Sequence, residues 1–376
     1  KHDDFLTAND VWFIPVVQKV GPDGCLYILD WYDRYHCYQD ANADPQGVDR
    51  GKGRLYRVRY QETPRAPKFD LAAETDDQLI ERLASPNIFY REQAQRILAE
   101  RLAAKSNDST SDKLRALVHD AKQSRAGRLQ ALWTTVAAGP LDDSFHNELL
   151  KAEDSSFRAW SLRATGDDSE NLQAATKRLI AAAADPSADV RLQAVIASVK
   201  RLGHDAVAPL FAAIDQSSGD GVTGPVVWQN LKPLLVAGGP QIVDQLSDIS
   251  EDRYARLGIL SRYLAWSLSR GADGARDAGK LALAIDGKHA GSTTYAPTIL
   301  AFDTIARAVC DNQLDAAAET ALREMLQPRL AKALSTKNDT LQGTALELLS
   351  RWRHPDAIAA VRKIALEARG DEKLRN

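Results

Sequence analysis

The chain has 376 residues, 44% hydrophobic and 26% charged, with a formal net charge of −3. This is globular composition, long enough for two or more structural units, without the basic excess of a nucleic-acid-binding protein. No stretch approaches the roughly 18 consecutive apolar residues of a membrane-spanning helix. Cys25, Cys37 and Cys310 form no CxxC or CxxCH spacing, which excludes a disulfide scaffold, a cysteine-rich zinc site and c-type haem attachment within this segment. A Cys25–Cys37 bridge and a pair of unlinked thiols both remain open. The chain begins at Lys1 and its one methionine is Met325, which points to a piece of a longer or processed protein.

The first sixty residues read as strands. "VWFIPVV" (Val11 to Val17) is rich in β-branched and aromatic residues, with Pro15 demoting its centre to an edge or irregular strand. Pro22-Asp23-Gly24 predicts a tight turn, because proline fixes φ and glycine accepts a positive one. Cys25 to Trp31 is a second strand, and "GRLYRVRY" (Gly53 to Tyr60) a third. Three such strands bury little by themselves and require neighbours.

Between the last two strands lies a polar, aromatic loop. Asp30, Asp33, His36 and Arg50 are its ligand-binding candidates. His36 titrates near neutrality and suits a general base or a ligand; a histidine hydrogen-bonded to loop backbone is the other reading. Asp40, Asn42, Asp44 and Asp49 place hard oxygens at calcium-like spacing. Pro45 and Gly51, where an EF-hand needs Gly and Glu, exclude that motif, leaving a looser Ca²⁺ site or a set of Asx-turns. Trp31, Tyr32, Tyr35 and Tyr38 either line a sugar-like pocket or pack the sheet with their polar tips wet.

"VGPDGCLYILDWYDRYH", followed by the polar insert and "GKGRLYRVRY", resembles the end of the β-propeller in a bacterial family of membrane-bound dehydrogenase-like proteins, distant relatives of glucose/sorbosone dehydrogenases. In that family HEAT-like helical repeats follow the propeller, often with a c-type cytochrome domain after them. The resemblance implies that residues 1–60 are a partial propeller blade and that the rest of the propeller holds the sugar-dehydrogenase chemistry. It also implies a periplasmic or cell-envelope location and a quinone or haem partner for the longer protein, with no cofactor in this chain apart from any Ca²⁺ on the loop.

"QETPRAPKFD" (Gln61 to Asp70) reads as an extended linker. From residue 71 to 376 helix signals recur. Four segments align on Arg91, Arg128, Arg158 and Arg191, spaced 37, 30 and 33 residues apart, the signature of a stacked helical solenoid. Leu129, Leu132, Trp133 and Val136 form one expected buried stripe, and Leu192, Val195, Ile196 and Val199 another. Leu341, Ala345, Leu348, Leu349 and Trp352 form a third. Asp185-Pro186 is expected to cap a helix, and Gly139 and Gly203 to end helices. The recurring arginine is expected to hydrogen-bond an aspartate or carbonyl of the adjacent repeat, near Asp189, in preference to lining a binding face.

The fold class expected is therefore mainly α: a HEAT-like α-solenoid preceded by a small antiparallel β segment. Two functions follow. One is a segment of an exported sugar-dehydrogenase-like protein with the helical repeats as docking scaffold. The other is a non-catalytic protein–protein interaction scaffold. Both place a protein partner on the solenoid face and neither calls for nucleic acid; a HEAT-like DNA-repair glycosylase is disfavoured by the acidic balance.

Overall fold

A computed structural model describes residues 3–33, 51–167, 171–217, 220–236, 240–249, 251–288, 296–335 and 339–367. The chain is mainly helical with one small antiparallel sheet, and it forms two compact units, residues 1–141 and 142–376.

In the first unit three strands, β1 (Pro15–Val20), β2 (Leu26–Asp30) and β3 (Arg54–Val58), pair as an antiparallel β1-β2-β3 sheet. The β1–β2 turn forms as the sequence demands. The Gly24 amide donates to the Gly21 carbonyl, and Gly24 takes φ +75°, a left-handed conformation that glycine adopts without a Cβ penalty. Pro15 stands at the start of β1, where the register with β2 is irregular, and all six β1 residues are exposed.

The helices of this unit are α1 (Asp76–Arg82), α2 (Ile88–Ala104), α3 (Asp108–His119) and α4 (Arg125–Ala138). A complete capping box opens α1, in which Thr75 and Gln78 satisfy each other's backbone N–H groups. On α4, Leu129 and Leu132 are buried, while Trp133 and Val136 are only half-buried. The segment 61–70 has no helix or strand, yet it is tied to its surroundings. Arg57 Nη2 donates to the carbonyls of Thr63 (2.8 Å) and Pro64 (2.9 Å), and Phe69 packs edge-on against Phe89 and Tyr90. Asn87, the N-cap of α2, donates from Nδ2 to the carbonyls of Gly21 (3.0 Å) and Pro22 (3.2 Å). The β-hairpin turn is thus fastened to the first repeat of the helical array.

The second unit continues with α5 (Asp143–Leu149), α6 (Ser155–Asp167), α7 (Leu172–Ala182), α8 (Ala188–Leu202), α9 (Val207–Asp215) and α10 (Thr223–Val236). Then come α11 (Pro240–Ser247), α12 (Leu257–Leu268), α13 (Gly271–Lys288), α14 (Ala296–Cys310), α15 (Ala316–Ala333), α16 (Asp339–Arg351) and α17 (Pro355–Glu367). Most helices pack on a chain neighbour and on the helix two places along. α6, α8, α10, α12, α14 and α16 form one layer, and α7, α9, α11, α13 and α15 the other. This nearest-neighbour packing is the geometry of a HEAT-like solenoid. One core cluster runs from α8 onward through Phe211, Leu231, Leu264, Phe302, Leu322 and Leu348, and a separate one with Leu162, Leu179 and Val190 joins α6, α7 and α8.

Two expected packing details change. On α8 the buried residues are Val190, Arg191, Ala194, Val195, Ala197 and Ser198, while Ile196 is exposed. The cause is the close approach of α6: a Cβ added at Gly166 would lie 3.1 Å from the Ala197 Cα, so small side chains face the contact and the bulky one turns out. The N-cap of α8 is Ser187, two residues after Asp185, and the Asp185 carboxylate accepts from the Ser187 amide (2.8 Å) in a turn ahead of the helix. Gly139 and Gly203 end α4 and α8 as expected, and Leu341, Ala345, Leu348, Leu349 and Trp352 are buried.

Candidate functional site

The loop candidates divide by position. His36, Asp40, Asn42, Asp44, Asp49 and Arg50 lie outside the described residues, and so do Tyr35, Cys37 and Tyr38. Asp30 and Asp33 are described. Asp30 closes β2 with its side chain fully buried. Its Oδ1 accepts from the amides of Ile14 (2.9 Å) and Tyr32 (3.0 Å), and its Oδ2 from Arg54 Nε (2.9 Å). Register explains the last contact, since Asp30 and Arg54 are cross-strand partners. Arg54 continues to Asp10 Oδ2 (2.9 Å), and its guanidinium lies 4.5 Å from the Tyr32 ring centroid. The Trp12 amide and then Arg54 hold the Asp10 carboxyl below its usual range. Asp33 is half-buried, and its amide donates to the Trp12 carbonyl (3.0 Å).

A second pair repeats the device one turn away. Asp23 Oδ2 accepts from Arg57 Nε (2.6 Å) and the Tyr27 hydroxyl (3.0 Å), and its Oδ1 from the Cys25 amide (3.1 Å). Burial pushes the Asp23 carboxyl up, but Arg57 and these donors outweigh it and the net shift is downward. Asp10, Asp23, Arg54 and Arg57 were not singled out from the sequence. The available signal was the row of arginines in "GRLYRVRY", which the register sets opposite β2. Cys25 is a buried, free thiol.

The recurring arginines build the other constellation. Arg91, Arg158 and Arg191 each send Nη1 back to the carbonyls five and six residues earlier: Pro86 and Ser85, Glu153 and Ala152, Pro186 and Asp185, all at 2.7–3.0 Å. Arg128 departs from the pattern and donates from Nε to the Val118 carbonyl (2.8 Å). Arg158 also grips Asp185 with two bonds of 2.9 Å, and Arg191 reaches Asp220 (3.0 Å). Asp185 therefore links α6 to α8, and Asp220 links α8 to α10. The partner is the loop aspartate ahead of the next helix, not Asp189, which is exposed. Arg256–Asp215 and Arg329–Asp286 carry the same bidentate geometry further along. Arg158, Arg191, Arg256 and Arg329 hold repeats together and are spent on that role.

Residues 1–62 match a family described as a domain of unknown function, DUF7133. No curated protein matches the chain. Among solved structures, Kap121p bound to Pho4p is 14% identical with a TM-score of 0.38, over 77% of this chain and 34% of that one. Kap121p bound to Ste12p is 14% identical with a TM-score of 0.36, over 78% and 35%. The karyopherin Kap121p bound to the SUMO protease Ulp1p is 13% identical with a TM-score of 0.38, over 73% and 32%. The chain thus spans about a third of the length of these structures. The solenoid assignment stands on the helix packing itself. Among the described residues no cluster of three or more His, Cys, Asp or Glu is placed to hold a metal ion, and no helix is long and apolar enough to cross a membrane.

The Asp220 link is testable by pH. Burial alone would raise this carboxyl. The Thr223 hydroxyl, the Thr223 and Val222 amides and Arg191 overcome burial and pull it to about 2, from an ordinary 3.8. A carboxylate depressed in the folded state stabilises fully above its unfolded value, and the gain is lost as pH falls through the folded one. The thermal midpoint should therefore drop between about pH 4 and pH 2. Asp220→Asn should lie below wild type at pH 6 and converge on it at the acid end. Parallel melting curves would show the link to be weak.

Proposed function

We propose that this chain is a protein-interaction scaffold, the stacked helices presenting a repeated surface to a protein partner. The observation that carries this reading is how the recurring Arg–Asp geometry of the second unit is used. The Arg–Asp pairs that might have formed a polar site instead join one helix to the next, so what the array offers outward is its long helical face. Solenoids work through such extended surfaces. Cross-linking mass spectrometry on the full-length protein in its own cells tests this. Cross-links from surface lysines of the second unit, such as Lys200 and Lys232, to one defined partner are the expected result. Cross-links confined to the protein itself would remove the reading.

A second reading has its own support. Among the described residues no strand pairs with the outer edge of β1, and Val17, Leu29 and Leu55 form an exposed cross-strand apolar row on one face of the sheet. Such an edge and face fit a sheet that belongs to a larger β assembly. On this reading the chain is the helical scaffold of an exported, sugar-dehydrogenase-like propeller protein of the periplasm or cell envelope. A quinone or haem partner would serve the propeller, and Asp40, Asn42, Asp44 and Asp49 would hold Ca²⁺. Calorimetric titration of the full-length protein with Ca²⁺, alongside turnover of sugars with an artificial electron acceptor, decides it. No heat, unaltered by Asp44→Ala, together with no turnover would rule it out.

A further inference from the structure

The second unit carries a line of five exposed cations, three of which have no carboxylate partner among the described residues. Helices α6, α8, α10, α12 and α14 lie side by side in one layer. Each presents one exposed cation on the face turned away from its buried residues: Arg163, Lys200, Lys232, Arg262 and Arg307. The only exposed carboxylates on these five helices are Asp167 and Asp189, in a chain whose net charge is −3. Lys200 is paired with Asp167 (2.5 Å) and Arg307 with Asp303 (2.6 Å). Arg163, Lys232 and Arg262 have no carboxylate partner among the described residues. Arg163 is already oriented, its guanidinium stacked 4.9 Å from the Trp160 ring centroid, an arrangement that restrains a side chain while leaving its charge available. The other layer also exposes cations, Lys177 on α7, Arg276, Lys280 and Lys288 on α13, and Arg323 and Lys332 on α15, but α9 and α11 expose none, so its row is interrupted for two helices.

Resting on the scaffold reading above, we infer that this line is the docking surface for an extended, carboxylate-rich polypeptide segment. The charge is complementary and the spacing selects the occupant. Packed helices stand about 8–10 Å apart, so five of them span roughly 32–40 Å. An extended chain advances about 3.3 Å per residue, so about 10–12 residues cover that distance, with a carboxylate at roughly every third position. At the α14 end the line runs into a groove of about 460 Å³ between α12 and α14, lined by Ser261, Ala265, Ser269, Thr304, Arg307 and Asp311. Small side chains from α12 keep that groove open to a backbone. Such a surface speeds encounter and selects partners by charge, so its affinity falls as salt rises.

The experiment uses the full-length protein and a fluorescent peptide of four Glu-Gly-Ser repeats, read by anisotropy at low and high salt. Wild type should bind, more weakly at high salt. The variant Arg163→Gln/Lys232→Gln/Arg262→Gln, whose three changes are exposed and leave the core intact, should lose at least about tenfold in affinity. Lys177→Gln/Lys280→Gln, which removes nearly as much charge from the other layer, should change little. Absence of peptide binding by wild type, equal loss in both variants, or tighter binding of a thymidine oligonucleotide of equal charge would each overturn the assignment. If cross-linking finds a partner that the triple variant still holds, the scaffold reading survives and the docking line does not. If it finds none while the peptide binds as expected, the scaffold reading fails and the charged line stands.

Discussion

Asp215→Ala should destabilise the second unit by about 3–5 kcal/mol, the cost typical of breaking a buried ion pair from one side. Arg256 lies just ahead of α12 with only 4% of its side chain exposed. Its Nε and Nη2 grip the Asp215 oxygens at 2.6 and 2.7 Å, its Nη1 reaches Gln245 Oε1 (3.1 Å), and its guanidinium lies 5.0 Å from the Phe211 ring centroid. Removing the carboxylate leaves a largely buried guanidinium with no carboxylate opposite it. For a unit of this size the loss corresponds to a fall of roughly 10 °C in the thermal midpoint. Replacing both partners together, Asp215→Leu with Arg256→Met, should recover most of it, because the desolvation penalty disappears with the charge. Asp303→Ala is the internal control. Its partner Arg307 is 74% exposed and the pair is an i,i+4 contact on one helix, worth only about 0.3–0.5 kcal/mol. Equal midpoints for Asp215→Ala and Asp303→Ala would mean that the repeats do not depend on their arginine pairs.

The same contrast explains which parts of this fold could be read from the sequence. The stripe of α16 was legible because Leu341, Leu348 and Leu349 are large and the helix packs at ordinary distance, so bulk and burial coincide. On α8 they do not coincide. Ala194, Ala197 and Ser198 are buried because α6 comes too close for anything larger, and Ile196 points out. Periodicity counts large apolar residues, and a close helix contact selects small ones. The arginine repeat was visible as a period, and its structural role was deducible. Its partners were not, because Asp185 and Asp220 lie in loops and are brought to their arginines only by stacking. In the sheet, Asp30 stood out as an acidic residue beside a polar loop, which suggested a ligand. What the sequence could not indicate is that register sets Arg54 opposite it and that its Oδ1 receives the Tyr32 amide from the bend after β2 and the Ile14 amide from just ahead of β1. A carboxylate serving backbone donors and one waiting for a ligand have the same local sequence.

That ambiguity at Asp30 can be resolved by two substitutions. Asp30→Ala removes the acceptor for the Ile14 and Tyr32 amides and one of the two carboxylates that hold Arg54. Both hydrogen bonds are partly buried, and an amide left without a partner there costs about 1–2 kcal/mol, the lower part of the range for a buried donor. Arg54 keeps Asp10 and is 40% exposed, so its share is smaller. A total of about 3 kcal/mol is therefore expected, concentrated where β1, β2 and β3 meet. Asp30→Asn keeps an oxygen for the backbone and loses the charge opposite Arg54, so it should cost about a third as much. Hydrogen exchange is the suitable measurement, because the sheet is small and its loss would be a minor step in a global melt. With Asp30→Ala, the amides of β2 and of residues 12–14 should exchange roughly a hundredfold faster, while those of α6 to α16 stay unchanged. Asp30→Asn should produce an increase of only a few fold. If both substitutions leave exchange in the sheet as it is in wild type, the carboxylate is not needed for the fold, and a role in binding becomes the reason for its presence.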